Sequence, residues 1–108
     1  MADAMIYLKL HDTDEGRIIA MCDESLIDRV LEEGDTYIDI KSYSEFYKGD
    51  LMSAKEFNDL EIARVDSANI VGEEAVALAM GRSLINEKNI KNVAGVPYAH
   101  AYWMGKQD

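Results

Sequence analysis

The chain predicts an α+β fold, one mostly antiparallel sheet with about three helices packed on it. Three features carry that reading. "MIYLKLHD" (residues 5–12) sets Ile6, Leu8 and Leu10 on one side and Tyr7, Lys9 and His11 on the other, the period of a half-buried strand. "EEAVALAM" (73–80) is rich in alanine, with Ala75, Val76 and Ala79 on one helical face. Around them, strand-like and helix-like segments succeed one another with no repeat, low-complexity tract or Pro/Gly-rich linker, so residues 1–108 read as a single domain.

After the first strand, "DTDEG" has turn chemistry and "RIIAMCD" resumes an apolar run, which predicts a hairpin over residues 5–23. "DESLIDRVLEEG" follows helical rules. Asp23 or Ser25 can cap it, Leu26, Val30 and Leu31 share a face, and Gly34 supplies a left-handed residue after the last turn. "TYIDIKSY" returns to period two as a third strand, and "SEFYKGDLM" is a turn with a short fourth strand. Ser53 and Glu56 form a capping box that opens a helix reaching about Ile62. "RVDSANIV" fits either a helical turn capped by Ser67 or a short strand ended by Gly72. The helical reading, from about Ser67 with Gly72 as a close-packing position, is preferred. Gly81 marks a break and "NEKN" a turn. "IKNVAGVPYAHAYWM" reads as strand, Gly-Val-Pro kink, strand, with Pro97 at a sheet edge or bulge because it lacks an N–H.

Hydrophobic residues at 48% and charged residues at 30% describe a globular chain long enough to bury its own core. No apolar run approaches the roughly 18 residues of a membrane span, and the N-terminus lacks the pattern of a signal peptide. One cysteine, Cys22, leaves no internal disulfide. A reduced, cytoplasmic setting without membrane contact is expected. The net charge of −10 argues against a general nucleic-acid binder. The charge is uneven: residues 1–54 carry −8, whereas residues 81–108 carry +2 through Arg82, Lys88, Lys91 and Lys106. Only the C-terminal quarter suits an anionic contact.

The single proline, the single tryptophan (Trp103) and one of two histidines crowd into "VAGVPYAHAYWM". His100 is the group there able to exchange protons near neutral pH. If the first and last strands paired, His11 would meet His100 beside Asp12 or Asp14, but two ligands without a third make a poor metal site, and a strand-end histidine is the plainer reading. No cofactor or metal is expected. Cys22 stands before acidic Asp23 and Glu24, which disfavour a thiolate, so it reads as a buried, inert thiol. "NIVGE" offers Asn69 to a base or an amide and lets a backbone or ligand approach Gly72, although packing is the plainer role for that glycine. Tyr37, Tyr43, Tyr47, Tyr98 and Tyr102 with Phe46 are numerous enough to stack bases, but core packing is again the plainer account. No phosphate loop, nucleophile elbow or calcium loop is present, and no catalytic residue is assigned.

The segments "CDESLIDRVLEEG", "EFYKGDL", "ANIVGEEAVALAM" and "GVPYAHA" resemble, in order and spacing, a small archaeal family known as domain of unknown function 424. The similarity spans nearly the whole chain and is most specific at Asn69–Glu73 and Gly95–Pro97. The family pattern reads Gly-Val-Pro-His-Ala-Gln; here Tyr98 replaces the His and His100 takes the place of the Gln, as if from the other face of the strand. After "CDE" a family Gly-Lys pair is also missing. The resemblance implies an archaeal, cytosolic protein that travels with translation-related genes, and it implies no activity.

Two functional readings follow. The first is a non-catalytic binding module for an RNA–protein complex or a protein partner, with Asn69, Gly72, Glu73, Gly95, Pro97, Tyr98 and His100 as binding residues and Arg82, Lys88 and Lys91 as local positive charge. The second is a small enzyme or ligand-binding protein with His100 as acid/base and Asn69 or Glu73 orienting the substrate. Exposed edge strands and six methionines also suit a homodimer.

Overall fold

The computed structural model of the chain describes residues 4–62 and 64–102. The N-terminal hairpin forms as the alternation predicts: Met5–Thr13 (β1) and Gly16–Asp23 (β2) run antiparallel from Ile6 opposite Asp23 to Thr13 opposite Gly16. Four further strands complete a six-stranded sheet: Asp50–Ser53 (β5), Ser67–Val71 (β6), Ile90–Val93 (β7) and Val96–Tyr102 (β8). Numbered in chain order, the strands lie side by side as β5-β1-β2-β6-β8-β7. Only β2 and β6 are parallel, from Ile18–Ser67 to Cys22–Val71. The fold is α+β, with a mostly antiparallel sheet and three helices, as the sequence predicts.

Both faces of this sheet are covered. On one, Ile6, Leu8, Ile19, Met21, Ile70 and Ala99 pack against Ala54–Asp59 (α2) and Glu73–Gly81 (α3), which contribute Phe57, Ala75, Val76 and Ala79. On the other, Ala20, Cys22, Val71 and Val93 pack beneath Leu26, Ile27, Leu31, Ile40 and Tyr47. That second cover is a two-stranded ribbon, Val30–Glu33 (β3) and Thr36–Asp39 (β4), followed by the one-turn helix Ser44–Tyr47 (α1). The helices therefore lie on both faces of the sheet.

The ribbon corrects the helix expected over residues 23–34. Only Glu24–Leu26 turns helically, as a short 3₁₀ segment. Leu31 then pairs with Ile38, and Gly34 uses its positive φ of 58° in the turn between strands rather than after a helix. A short helix is marginal by itself. The adjacent Tyr37–Ile38 strand offers this segment ladder hydrogen bonds and keeps Leu31 buried.

Residues 67–71 correct the preferred helical reading in the same way: they form β6 at the centre of the sheet. Ala68 and Ile70 face the helices, while Asn69 and Val71 face the ribbon side. Five residues, Ser67 to Val71, are too short for their alternation to exclude a helical turn, and their pairing with β2 and β8 decides the strand. Gly72, with φ 112° and ψ 153°, stops the strand in a region closed to helical residues. The expected capping box is present: Ser53 Oγ accepts from the Glu56 N–H at 3.2 Å, and Glu56 Oε1 accepts from the Ser53 N–H at 2.8 Å. The helix it opens ends at Asp59, short of Ile62. The "NEKN" turn is capped too, around a short 3₁₀ segment at Glu87–Asn89.

At the C-terminal hairpin the turn is Ala94–Gly95, both with positive φ, and Val96 and Pro97 already belong to β8. The Gly-Val-Pro kink is thus a two-residue turn one step earlier. Pro97 sits at the start of β8, beyond the last β6–β8 pair (Val71–Tyr98), where a missing N–H is tolerated. β8 itself is an interior strand. Trp103 and Met104 lie outside the described residues.

Candidate functional site

Asn69 and His100 are directly opposite one another on β6 and β8. Both point to the ribbon side, where the covering layer leaves a gap. The result is an open slot of about 370 Å³. Its floor is Asn69, Val71 and His100; Tyr37, Ile38 and Asp39 of β4 form one wall, and Tyr43, Phe46 and Tyr47 at α1 form the other. Tyr37 and Tyr43 are 59% and 65% exposed, so both leave ring surface open to solvent beside the slot.

The neighbouring side chains hold this geometry. The Tyr98 ring stands edge-on to His100, with centroids 6.0 Å apart. His11 fastens α1 to the sheet: its ring stacks on Phe46 at 4.4 Å, and its Nε2 lies 2.7 Å from the Phe46 carbonyl oxygen. Glu33 Oε1 accepts the Ala94 N–H at 2.6 Å and ties the ribbon to the C-terminal hairpin. His11 and His100 do not meet, because β2 and β6 separate their strands.

Partial desolvation, with a smaller contribution from the Lys91 charge, lowers the His100 pKa below the ordinary histidine value, which favours the neutral imidazole although the side chain remains open to solvent. Burial pushes the Tyr47 phenol up to about 12, reinforced by Cys22. The Cys22 thiol is likewise raised to about 12 by burial and by Asp23, as expected of an inert thiol. Asp39, whose carboxylate accepts from Ser42, is held below its usual range and stays ionised. Within the slot, His100 offers a neutral imidazole, one hydrogen-bond donor and one acceptor. Among the described residues no three His, Cys, Asp or Glu side chains cluster as a metal site.

The seven predicted binding residues fall in four places. Asn69 and His100 lie in the slot, with Tyr98 against His100. Gly72 and Pro97 meet one strand-end away, where the Gly72 N–H donates to the Pro97 carbonyl at 2.8 Å. Gly95 is in the hairpin turn, and Glu73 is exposed at the start of α3, the helix that packs on the opposite face. The ligand-like approach to Gly72 comes from the protein itself: buried Asp23 accepts the N–H groups of Glu74 (3.2 Å) and Ala75 (2.8 Å), capping α3 from the end of β2. Tyr98 and His100, two residues apart, share a strand face, so the histidine has shifted along that face rather than across it. Arg82 is withdrawn from the basic group, donating to the Phe57 carbonyl at 2.9 Å with its guanidinium over the Phe57 ring.

Sequence reasoning left Tyr37, Asp39, Tyr43 and Phe46 out of the site. The signal was there, as four aromatic residues within 37–47, but the folding of the ribbon over Asn69 was not readable locally. A larger cavity of about 600 Å³ lies on the helical side, between Met80, Ile85, Asn89 and Tyr102; it contains none of the predicted residues.

These features define a class: an α+β protein whose sheet is covered on both faces and carries an aromatic-walled slot on one of them. The chain belongs to the family described as "Protein of unknown function (DUF424)", whose model matches residues 10–104. It is also similar in fold to an uncharacterized conserved protein from Methanopyrus kandleri, with 24% identity, 97% of this chain and 96% of that chain covered, and a TM-score of 0.74. No curated protein matches the chain. No helix among the described residues is long and apolar enough to cross a membrane.

Proposed function

We propose that this protein is a non-catalytic binding module that captures a flat group of an RNA–protein complex or a protein partner in the Asn69–His100 slot. One observation carries the reading. Two polar side chains lie side by side on the floor of an open slot whose walls are mostly aromatic, with two tyrosines more than half exposed. Such sites combine apolar contact area with a few placed polar groups. Lys91, opposite Tyr98 on the edge strand, supplies local positive charge near His100. The net charge of −10 favours a partner in which protein, not bare phosphate, dominates the surface. An association with the translation machinery, which the family resemblance implies, belongs to this proposal.

The test is affinity capture at low and high salt, comparing wild type with a Tyr37→Ser/Tyr43→Ser variant and a Lys88→Glu/Lys91→Glu variant. Capture of a reproducible partner that the tyrosine variant loses supports the reading. Identical captures by all three proteins overturn it.

One feature favours a second reading, a small-ligand protein or enzyme. His100 lies in the slot with its pKa lowered, and Asp39 stands in the same slot in the role first given to Glu73. Turnover that His100→Gln abolishes in a folded protein would favour it over the binding module.

A further inference from the structure

Resting on the slot reading above, we infer that the flat group is an uncharged nucleobase that presents a hydrogen-bond donor and acceptor side by side on one edge, as adenine does. The volume of about 370 Å³ falls near the lower end of ligand sites, about 300–1,000 Å³, and suits a base with its sugar better than a helix or an extended peptide. Tyr37 and Tyr43 expose ring surface at the mouth. Stacking of a base on such a ring is worth about 1–3 kcal/mol and tolerates any base.

Selection falls to the floor. The Asn69 carboxamide carries a donor and an acceptor in one plane, the pattern that answers an adenine edge with two hydrogen bonds. Among the described residues, neither that amide nor the His100 imidazole is engaged in a hydrogen bond. A neutral imidazole adds one more donor and one more acceptor. A phenylalanine or leucine side chain from a protein would fill the walls but leave this floor unanswered, and an unpaired polar group in a closed contact is costly.

Charge points the same way. The lining holds one carboxylate, Asp39, and no lysine or arginine. A slot of that kind reads the base rather than its phosphate, and binding should therefore respond weakly to salt. The base could arrive on a free nucleoside or unpaired in a single-stranded RNA; the chemistry is shared.

The experiment is a calorimetric and NMR titration of the full chain with adenosine, uridine, an adenine tetranucleotide and N-acetyl-tryptophanamide, at 50 and 500 mM salt. Wild type is compared with Tyr43→Ala and Asn69→Ala, each checked for an unchanged thermal melt. Tyr43→Ala alters an exposed ring and keeps the test valid if Asn69→Ala fails to fold. The expected result is adenosine binding above uridine, changed less than about threefold by salt and weakened about fivefold to a hundredfold by Tyr43→Ala. Asn69→Ala should weaken adenosine and uridine alike, because adenine (N6–H beside N1 or N7) and uracil (N3–H beside O4) each answer the amide with a donor and an acceptor. The larger stacking face of the purine keeps adenosine ahead. Equal affinity for adenosine and tetranucleotide identifies a nucleoside site, and tighter tetranucleotide binding identifies an RNA site. Binding of N-acetyl-tryptophanamide alone, lost in Tyr43→Ala, overturns the nucleobase and leaves the slot reading standing. Binding of the tetranucleotide alone, abolished by high salt, also overturns the nucleobase, because the phosphates then carry it. No binding by any probe to folded wild type overturns the nucleobase, while the capture experiment still decides the slot.

Discussion

The Asp23 carboxylate lies against Gly72 so closely that a Cβ built on Gly72 would collide with Cγ and both carboxylate oxygens. This relationship joins the end of β2 to the start of α3. It also brings together the "CDE" and "NIVGE" segments, and the Gly72 N–H adds "GVP" through the Pro97 carbonyl. Three segments far apart in the sequence thus meet at one end of the sheet, and much of what they do there is structural.

Gly72→Ala should be destabilising by about 2–4 kcal/mol. Part is the backbone at φ 112°, a conformation L-residues avoid, and part is the collision with Asp23. Chemical denaturation of the two proteins measures it. A loss below about 1 kcal/mol would mean that the Asp23 contact relaxes freely.

Asp23 should tolerate asparagine better than alanine. Asn keeps an acceptor for one of the Glu74 and Ala75 N–H groups, which bond to different carboxylate oxygens, whereas Ala leaves both unpaired at a cost of about 1–3 kcal/mol each. Burial raises the Asp23 pKa above 3.8, outweighing the two N–H bonds. The native state therefore holds its proton to higher pH than the unfolded chain, and this group's contribution to stability declines as pH rises through that window. Melting curves should show Asp23→Asn gaining on wild type as pH rises above the ordinary carboxyl value of 3.8.

Ala94 has φ 51° in the two-residue turn, followed by Gly95. Asn-Gly is the preferred pair for such turns, so Ala94→Asn should stabilise by about 0.5–1 kcal/mol. The gain should appear as a raised Tm with the Glu33 contact retained, since that bond uses the Ala94 backbone N–H.

The Cys22 thiol, fully buried and with its pKa pushed up to about 12, should resist alkylation at pH 8 until the protein unfolds. Iodoacetamide labelling across a urea titration should follow the unfolding transition. Rapid labelling of native protein would show that the ribbon opens over it.

Much of the sheet was legible because its rules are local. Alternation marks β1, turn residues mark the β1–β2 hairpin, and Ser53 with Glu56 marks α2. Asn69 and His100 were legible as residues with chemistry. Their pairing was not, since it depends on the register of strands far apart in sequence. The walls were harder still. Tyr37 and Tyr43 meet the floor only because residues 30–39 form a ribbon that folds back over β6 and β8.

By itself the sequence determined the α+β class, the N-terminal hairpin, the capped start of the helix at Ala54, a helix over residues 73–80 and the two C-terminal strands. Each is specified by neighbours within about four residues, where periodicity and capping act. The strand at 36–39 was legible as period two; the tertiary structure alone decided that residues 24–33 make a 3₁₀ turn and the strand that pairs with it, and that 67–71 is a strand. It also decided that Gly72 answers to Asp23 and that the tyrosines wall a slot. A short apolar run satisfies helix and strand rules alike, so long-range partners that bury it and complete its hydrogen bonds settle its form.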